Sequence, residues 1–147
     1  MGSGSQQALA HLIRTRRIAS LGTLRDGAPL VSMVLYAASS DLSSFYIHVS
    51  RLAHHTQDIL QDPRVSLMIA GTDDGTQDPQ ILRRVSIQGG AVEILPTADH
   101  YPEAKSIYLK RFPQAAFNFE LGDFHLFRIQ PSAARRCRVR EDLRSGR

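Results

Sequence analysis

Two strand-like stretches joined by one tight-turn dipeptide constrain the fold of this chain more than any other sequence feature. Residues 18–24 alternate in polarity and are rich in β-branched and apolar side chains, and residues 29–37 resume this character after Asp26-Gly27. Asp-Gly favours two-residue turns with positive φ at both central positions, and such turns join antiparallel strands. The sequence therefore predicts a β-hairpin near its start.

Four further stretches have the composition of strands, at residues 45–49, 65–70, 81–95 and 124–131. The first of these follows the hairpin closely, which predicts a three-stranded antiparallel meander. Gly89-Gly90 lies inside the longest stretch and predicts a bend or a bulge, because glycine weakens regular strand pairing.

Apolar residues at helical spacing predict helices at residues 6–17, 52–60 and 97–111, with a further helical turn after Pro113. Ser50 lies where the N-cap of the second helix is expected, and Thr97 lies at the equivalent position of the third. Asp62-Pro63 ends the second helix, since the residue before proline avoids helical geometry.

Six short strands, mostly linked by hairpins, with helices at three places along the chain, predict a mainly β fold with flanking α-helices. The architecture that fits is a small six-stranded antiparallel barrel. A length of 147 residues suits one domain, which we assign to residues 6–132. Residues 1–5 form a flexible, low-information start, and residues 133–147 form a basic tail.

The net charge of +4 belongs to this tail. Six of the 18 Lys and Arg and two of the 14 Asp and Glu lie in the last 13 residues, so the rest of the chain is neutral. We interpret the tail as a solvated terminus rather than a nucleic-acid arm. No apolar stretch reaches the ~18 residues of a membrane span, and one cysteine without a signal segment predicts a cytoplasmic protein.

The passage from strand to helix at residues 48–56 carries the most informative local chemistry. With Ser50 as N-cap, the open amides of the first helical turn would lie beside the guanidinium of Arg51. Helix N-termini favour anions, and a guanidinium pairs with phosphate through two hydrogen bonds. The pattern indicates either a phosphate site or an ordinary capped helix with a surface arginine.

Several segments resemble the pyridoxamine 5′-phosphate oxidase family of FMN-binding split β-barrels. They are residues 29–36, 45–56 with Ser-Arg-Leu-Ala-His-His-Thr, 62–69 and 84–89. Residues 108–115 and 121–128 are similar to the heme-utilisation (HugZ-type) branch of that family. The resemblance covers residues 8–132 and implies a homodimer with FMN in a cleft between the subunits.

The resemblance also implies roles for particular residues. The strand Val31, Ser32, Met33 and Val34 would lie along the flavin, with its backbone pairing with the polar edge of the ring. Ser50 and Arg51 would hold the phosphate, with Thr56 as a weaker candidate. Arg84, where the oxidases carry glutamine, would approach the flavin from the neighbouring strand. His48, beside this cofactor edge, is a candidate for acid–base or flavin contact, or else a solvent-facing strand residue.

Three departures bear on the activity. The vitamin oxidases carry cations where this chain has Val31, Tyr36 and Leu52. Because a dianionic substrate needs several charge-assisted partners, oxidation of a pyridoxamine phosphate is not expected. The leading hypothesis is an FMN-binding oxidoreductase with an unknown small-molecule substrate.

Two alternatives stay open. The first is heme binding or degradation in the same barrel, although residues 135–140 lack the Gly-rich ending of the heme branch. The second is a non-catalytic module whose basic tail binds anionic partners. A metal site is not expected: His54 and His55 are sequential, so on a helix they point about 100° apart and cannot share one ion.

Overall fold

The predicted hairpin is confirmed. The computed structural model describes residues 2–132 and 138–139. Strand β1 (Ile18–Arg25) pairs antiparallel with β2 (Ala28–Leu35) through the turn residues Asp26, at φ 52°, and Gly27, at φ 81°. Positive φ at both positions is the geometry that an Asp-Gly turn adopts, so local sequence determines this first unit of the fold.

The six predicted strands are present, together with two further strands of two residues each. The remaining strands are β3 (Ala37–Ala38), β4 (Phe45–Ser50), β5 (Arg64–Ala70), β6 (Arg84–Glu93), β7 (Phe124–Pro131) and β8 (Arg138–Val139). The helices are α1 (Gly2–Thr15), α2 (His54–Gln61), α3 (Tyr101–Arg111) and α4 (Ala116–Leu121). Single 3₁₀ turns cover Pro79–Ile81 and Pro113–Ala115.

The strands form one antiparallel sheet that curls into a split barrel, in the order β2-β1-β5-β6-β7-β4-β3, with β8 beside β6. The predicted three-stranded meander is wrong, because β4 pairs with β7 and β3 and not with β2. The chain passes from β2 through Tyr36 straight into β3, which links the two opposite edges of the sheet. The mainly β, antiparallel barrel class is confirmed.

Side chains of alternate residues divide the core into two parts. One cluster fills the barrel interior, with Leu21, Ile47, Leu67, Ile87 and Ile129 among its fully buried members. The second cluster lies between the outer face of β4 and β7 and helix α3, and includes Tyr46, Tyr108 and Leu126. Helix α3 therefore covers one outer face of the sheet, whereas the outer face of β2 and β1 carries exposed apolar side chains.

Three local predictions are wrong in their details. Helix α1 begins at Gly2, before the predicted residue 6, and ends at Thr15. The N-cap of α3 is His100, without a side-chain cap bond, and not Thr97. Pairing runs through Gly89 and Gly90 without an inserted residue, so there is no bulge at these described pairs.

The predicted basic tail, residues 133–147, lies outside the described residues, apart from the backbone of β8. No helix within residues 2–132 and 138–139 has the length and apolar character of a membrane span.

Candidate functional site

The corner between β4 and α2 is built by hydrogen bonds to Ser50. Ser50 is the last residue of β4, and α2 begins four residues later with Ala53 as an N-cap that makes no side-chain cap bond. The prediction of Ser50 as N-cap is therefore wrong, because a three-residue turn separates the strand from the helix. The Ser50 hydroxyl accepts the Leu52 N–H at 3.2 Å, and the Ser50 carbonyl accepts the Ala53 N–H at 3.2 Å.

Arg51 projects a guanidinium from this corner on a fixed backbone. Its N–H donates to the Asp123 carbonyl at 2.7 Å, and its carbonyl accepts the Gln57 side-chain amide at 2.7 Å. The side chain is 57% exposed, and its Nη2 lies 3.5 Å from Asp123 Oδ1. An exposed pair at that distance contributes little stability, so the guanidinium is available to an incoming anion. Asp123 and Gln57 were not predicted as part of this corner, because no local spacing signals them.

Thr56 holds the corner in place through a hydrogen bond from its buried side chain. It is fully buried, and its hydroxyl donates to the Ser50 carbonyl at 2.6 Å. The interpretation of Thr56 as a direct phosphate contact does not fit this placement, since the side chain has no exposed surface. The first backbone bonds of α2 come from the Thr56 and Gln57 N–H groups to Ala53. The amides of His54 and His55 precede that first bonded turn, where helix N-termini accept anions.

The four strand residues expected along a flavin lie on β2, an edge strand. Val31 and Met33 project from its outer face and are each 68% exposed, whereas Ser32 is half-buried and Val34 is buried. Within the described part of the chain, β2 pairs with β1 alone, so its second backbone edge is open. An open edge presents a row of N–H and C=O groups that can pair with another polar edge.

Arg84 does not lie on a strand next to β2, which corrects that expectation. It begins β6, and β1 and β5 separate β6 from β2 in the sheet order. Three strand spacings of about 4.8 Å place it roughly 14 Å from β2 in the same chain. Arg84 is half-buried, and its Nη2 donates to the Gln80 carbonyl at 3.3 Å.

His48 lies in an aromatic group on the same face of β4 as Ser50. Its ring stacks on Phe119 with centroids 3.6 Å apart and packs edge-on against Tyr108 at 5.7 Å. Burial, with smaller contributions from His125 and Lys105, lowers the pKa of His48 to about 4. His48 is therefore neutral at pH 7 and contributes no positive charge to the corner, and it does not face solvent as a free strand residue.

This depressed pKa predicts a pH-dependent stability. Because unfolded His48 takes up a proton near pH 6.5 and folded His48 only near pH 4, stability is complete above about pH 6.5 and falls as the pH decreases towards 4. After solvent screening we expect the loss to be about 1–2 kcal/mol. His48→Phe should remove most of this slope in urea unfolding from pH 4 to 7, whereas the exposed His54→Gln should retain it. An unchanged slope in His48→Phe would contradict the assignment.

A second polar pair, missed by the sequence analysis, joins β6 and β7. His125 Nδ1 lies 2.5 Å from Glu93 Oε2, and His125 Nε2 is buried without a hydrogen-bond partner among the described residues. The pair brings together residues that are far apart in sequence, so periodicity could not find it. Residues 2–132 and 138–139 contain no group of three or more His, Cys, Asp or Glu placed to hold a metal ion.

Comparison with known proteins agrees with this architecture. Residues 5–138 match the family model described as pyridoxamine 5′-phosphate oxidase. A curated relative, the chloroplastic non-canonical heme oxygenase HOZ of Arabidopsis thaliana, is 37% identical over 112 residues, which are 75% of this chain. The chain spans about a third of that relative, 32% of its length.

Two solved structures share the fold. HutZ, the heme storage protein from Vibrio cholerae, superposes with a TM-score of 0.77 at 20% identity, over 86% of this chain and 89% of HutZ. An FAD-binding protein from Mesorhizobium loti superposes with a TM-score of 0.68 at 18% identity, over 86% of this chain and 87% of that protein. At these identities, the likeness is one of fold.

Proposed function

The chain belongs to the pyridoxamine 5′-phosphate oxidase family, and from this premise we propose that it binds FMN and acts as a flavin-dependent oxidoreductase. The observation that carries the proposal is the position of β2 at a sheet edge, where Val31–Val34 pair with β1 on one side and with no other described strand. A flavin ring has a polar edge of carbonyl and N–H groups that such a backbone can meet. FMN, when bound, supplies the electron transfer.

The corner residues fit the other end of this cofactor. A phosphate needs charge and donors, and Arg51 offers a guanidinium beside the Ser50 hydroxyl and the first amides of α2. Thr56 and Gln57 hold the backbone of Ser50 and Arg51, so the chain that carries both donors is fixed before a ligand arrives. Preorganised donors bind with a smaller loss of entropy.

The position of Arg84 supports a homodimer in this proposal. Three strand spacings along the sheet separate Arg84 from β2 in the same chain, so we infer that a second copy contributes the Arg84 that approaches a flavin on β2. The outer face of the sheet carries exposed Val31 and Met33, with Met68 on β5 also exposed. Large exposed apolar side chains on one sheet face are typical of an interface, so a second subunit packed there would cover them and complete the cleft.

The substrate is not a vitamin phosphate in this proposal. Tyr36 is buried and its hydroxyl donates to the Ile13 carbonyl at 2.6 Å, so it cannot replace a substrate-binding lysine. Val31 and Leu52 are exposed apolar side chains at the other two positions. With these three cations absent, a dianionic phosphate substrate has too few charged partners.

An absorption spectrum of natively purified protein, followed by titration with FMN, tests the proposal. We expect either co-purified flavin bands or saturable FMN binding, together with a dimeric mass in light scattering. A colourless protein that does not bind added FMN would refute it.

Arg51→Ala should weaken FMN binding by about 2 kcal/mol, or roughly 30-fold in Kd, because a hydrogen-bonded charge contributes about 1.5–3 kcal/mol. Fluorescence quenching of FMN measures the change. Arg64→Ala is the matched control, since Arg64 is also an exposed arginine paired with an aspartate, Asp62, but lies on β5. Equal Kd values for the two variants would contradict the phosphate contact.

Heme binding is a second candidate function, favoured by the 37% identity to a protein named as a heme oxygenase. An axial ligand needs an accessible imidazole nitrogen. His54 is exposed at the start of α2, whereas the ring of His48 is covered by Phe119 and His125 is bonded to Glu93. A Soret shift on heme addition that is lost in His54→Ala would support this function. A shift that survives separate changes of His48, His54, His55 and His125 would exclude these four residues as ligands.

A further inference from the structure

A cavity of about 410 Å³ opens between α1, β3 and α3. Its lining combines apolar walls with cationic side chains, and includes Ile13, Tyr36, Ile107, Arg14, Lys110 and Arg111. Pockets of roughly 300–1,000 Å³ are the size class that holds small molecules. The cavity adjoins the end of β3 that pairs with Phe45, at the opposite end of β4 from Ser50. Five residues of strand place the two sites about 17 Å apart.

The cavity carries more positive charge than is needed to balance the negative ends of the helices around it. Three lining residues are cations and none is acidic, and no described ion pair involves Arg14, Lys110 or Arg111. Two helices end here, and each C-terminus carries about half a negative charge. Together the two helix ends supply about one negative charge, and the three side chains supply three positive charges. The cavity therefore has a net charge of about +2. Capping of helix ends therefore accounts for only part of the cluster.

Hydrogen bonds hold the arginines in place and leave donors open. Arg14 Nη2 donates to the Ser40 carbonyl at 2.8 Å, and Arg111 Nη2 donates to the Arg16 carbonyl. A guanidinium has five N–H donors, so most of those on each arginine remain for a ligand. Burial raises the pKa of Tyr36 to about 12, so the phenol in the wall stays neutral and adds no negative charge.

We propose that this cavity binds a small amphiphilic anion, a carboxylate or phosphate carried on a compact apolar body. Arg14, Lys110 and Arg111 would hold the anionic group, and the side chains of Ile13 and Ile107 would contact the apolar part. The cavity is separate from the corner formed by Ser50 and Arg51. The proposal does not depend on FMN binding at that corner. It adds a second ligand site to the fold, formed within one chain.

Phenyl phosphate is a suitable probe because it joins an apolar ring to a phosphate. Phenol and inorganic phosphate represent its two halves and are tested separately. Backbone amide NMR of the full chain is the readout. We expect saturable shifts at Ala37 and Ala38, and at least tenfold weaker binding of either half. Arg14→Gln combined with Lys110→Gln should weaken phenyl phosphate at least tenfold. Lys105→Gln, on the same helix but outside the lining, should change Kd less than twofold.

A second variant tests the apolar wall. Ala38 lines the cavity and is half-buried, so Ala38→Leu would fill part of the space and should weaken phenyl phosphate. Arg51→Ala should leave the Kd of phenyl phosphate unchanged, because Arg51 belongs to the corner at Ser50 and not to the cavity. The proposal is overturned by equal binding to the Arg14 and Lys110 double variant, by shifts confined to residues 50–55, or by no saturable shift up to about 10 mM probe.

Discussion

Gly89→Ala is expected to lower the free energy of unfolding by about 3 kcal/mol, since overpacking typically costs about 1–3 kcal/mol and more against rigid backbone. A Cβ on Gly89 would lie 2.2 Å from the Gln130 carbonyl oxygen and 2.9 Å from its carbon. These atoms belong to β7, which pairs with β6 at this position, so they cannot move aside without breaking the sheet. Urea unfolding monitored by circular dichroism measures the loss.

Gly90 provides the matched control for that experiment. A Cβ on Gly90 meets nothing within 4 Å, and its φ is not positive, so Gly90→Ala should change stability by less than about 1 kcal/mol. If the two substitutions have the same effect, then β6 and β7 separate easily and the close approach at Gly89 is not a constraint.

Asp58→Ala is expected to destabilise the protein by about 2–3 kcal/mol, because it leaves a buried hydroxyl unsatisfied and removes the partner of Arg25, whose own side chain is 44% exposed. Asp58 is fully buried on α2, where it accepts the Thr23 hydroxyl at 2.9 Å and Arg25 Nε at 2.7 Å. Removing the carboxylate leaves the buried Thr23 hydroxyl without its acceptor and the Arg25 guanidinium without its partner. Because these bonds attach α2 to β1, the loss should also loosen the corner that Thr56 supports.

Asp62 is the control for Asp58, as it is the same residue type beyond the end of the same helix. It pairs with Arg64 at 2.7 Å, and that arginine is largely exposed. Exposed pairs contribute about 0–1 kcal/mol, so Asp62→Ala should shift the unfolding midpoint only slightly. A similar loss in both variants would show that the Asp58 bonds do not anchor α2.

Local chemistry explains which elements could be predicted from the sequence. The Asp26-Gly27 turn requires positive φ and takes it, and helix α3 spans the apolar spacing that predicted it. The meander failed because strand pairing depends on partners far away in the chain. Nothing within residues 45–49 indicates that β4 pairs with β7. The open β2 edge follows from the same long-range pairing.

The candidate site could also be predicted only in part from the sequence. Ser50 and Arg51 do lie at a strand–helix corner, as their sequence indicates, but the hydrogen bonds that fix the corner come from Asp123, Gln57 and Thr56. Predicting them requires knowing that residues around 123 return beside β4. The cavity between α1 and α3 was unpredictable for this reason also, since its cations, Arg14 on α1 and Lys110 and Arg111 on α3, lie far apart in the sequence.

The order of the strands has a consequence for synthesis on the ribosome. β4 has two strand partners, and the one made near it in sequence is the two-residue β3. Its full-length partner β7 follows two more strands and three helices later, so residues up to about 131 must be synthesised before β4 is held on both sides. Loop closure over such a span is slow compared with forming the first hairpin. The corner at Ser50 therefore takes its folded shape only when residues 123–131 have emerged and β7 has paired with β4.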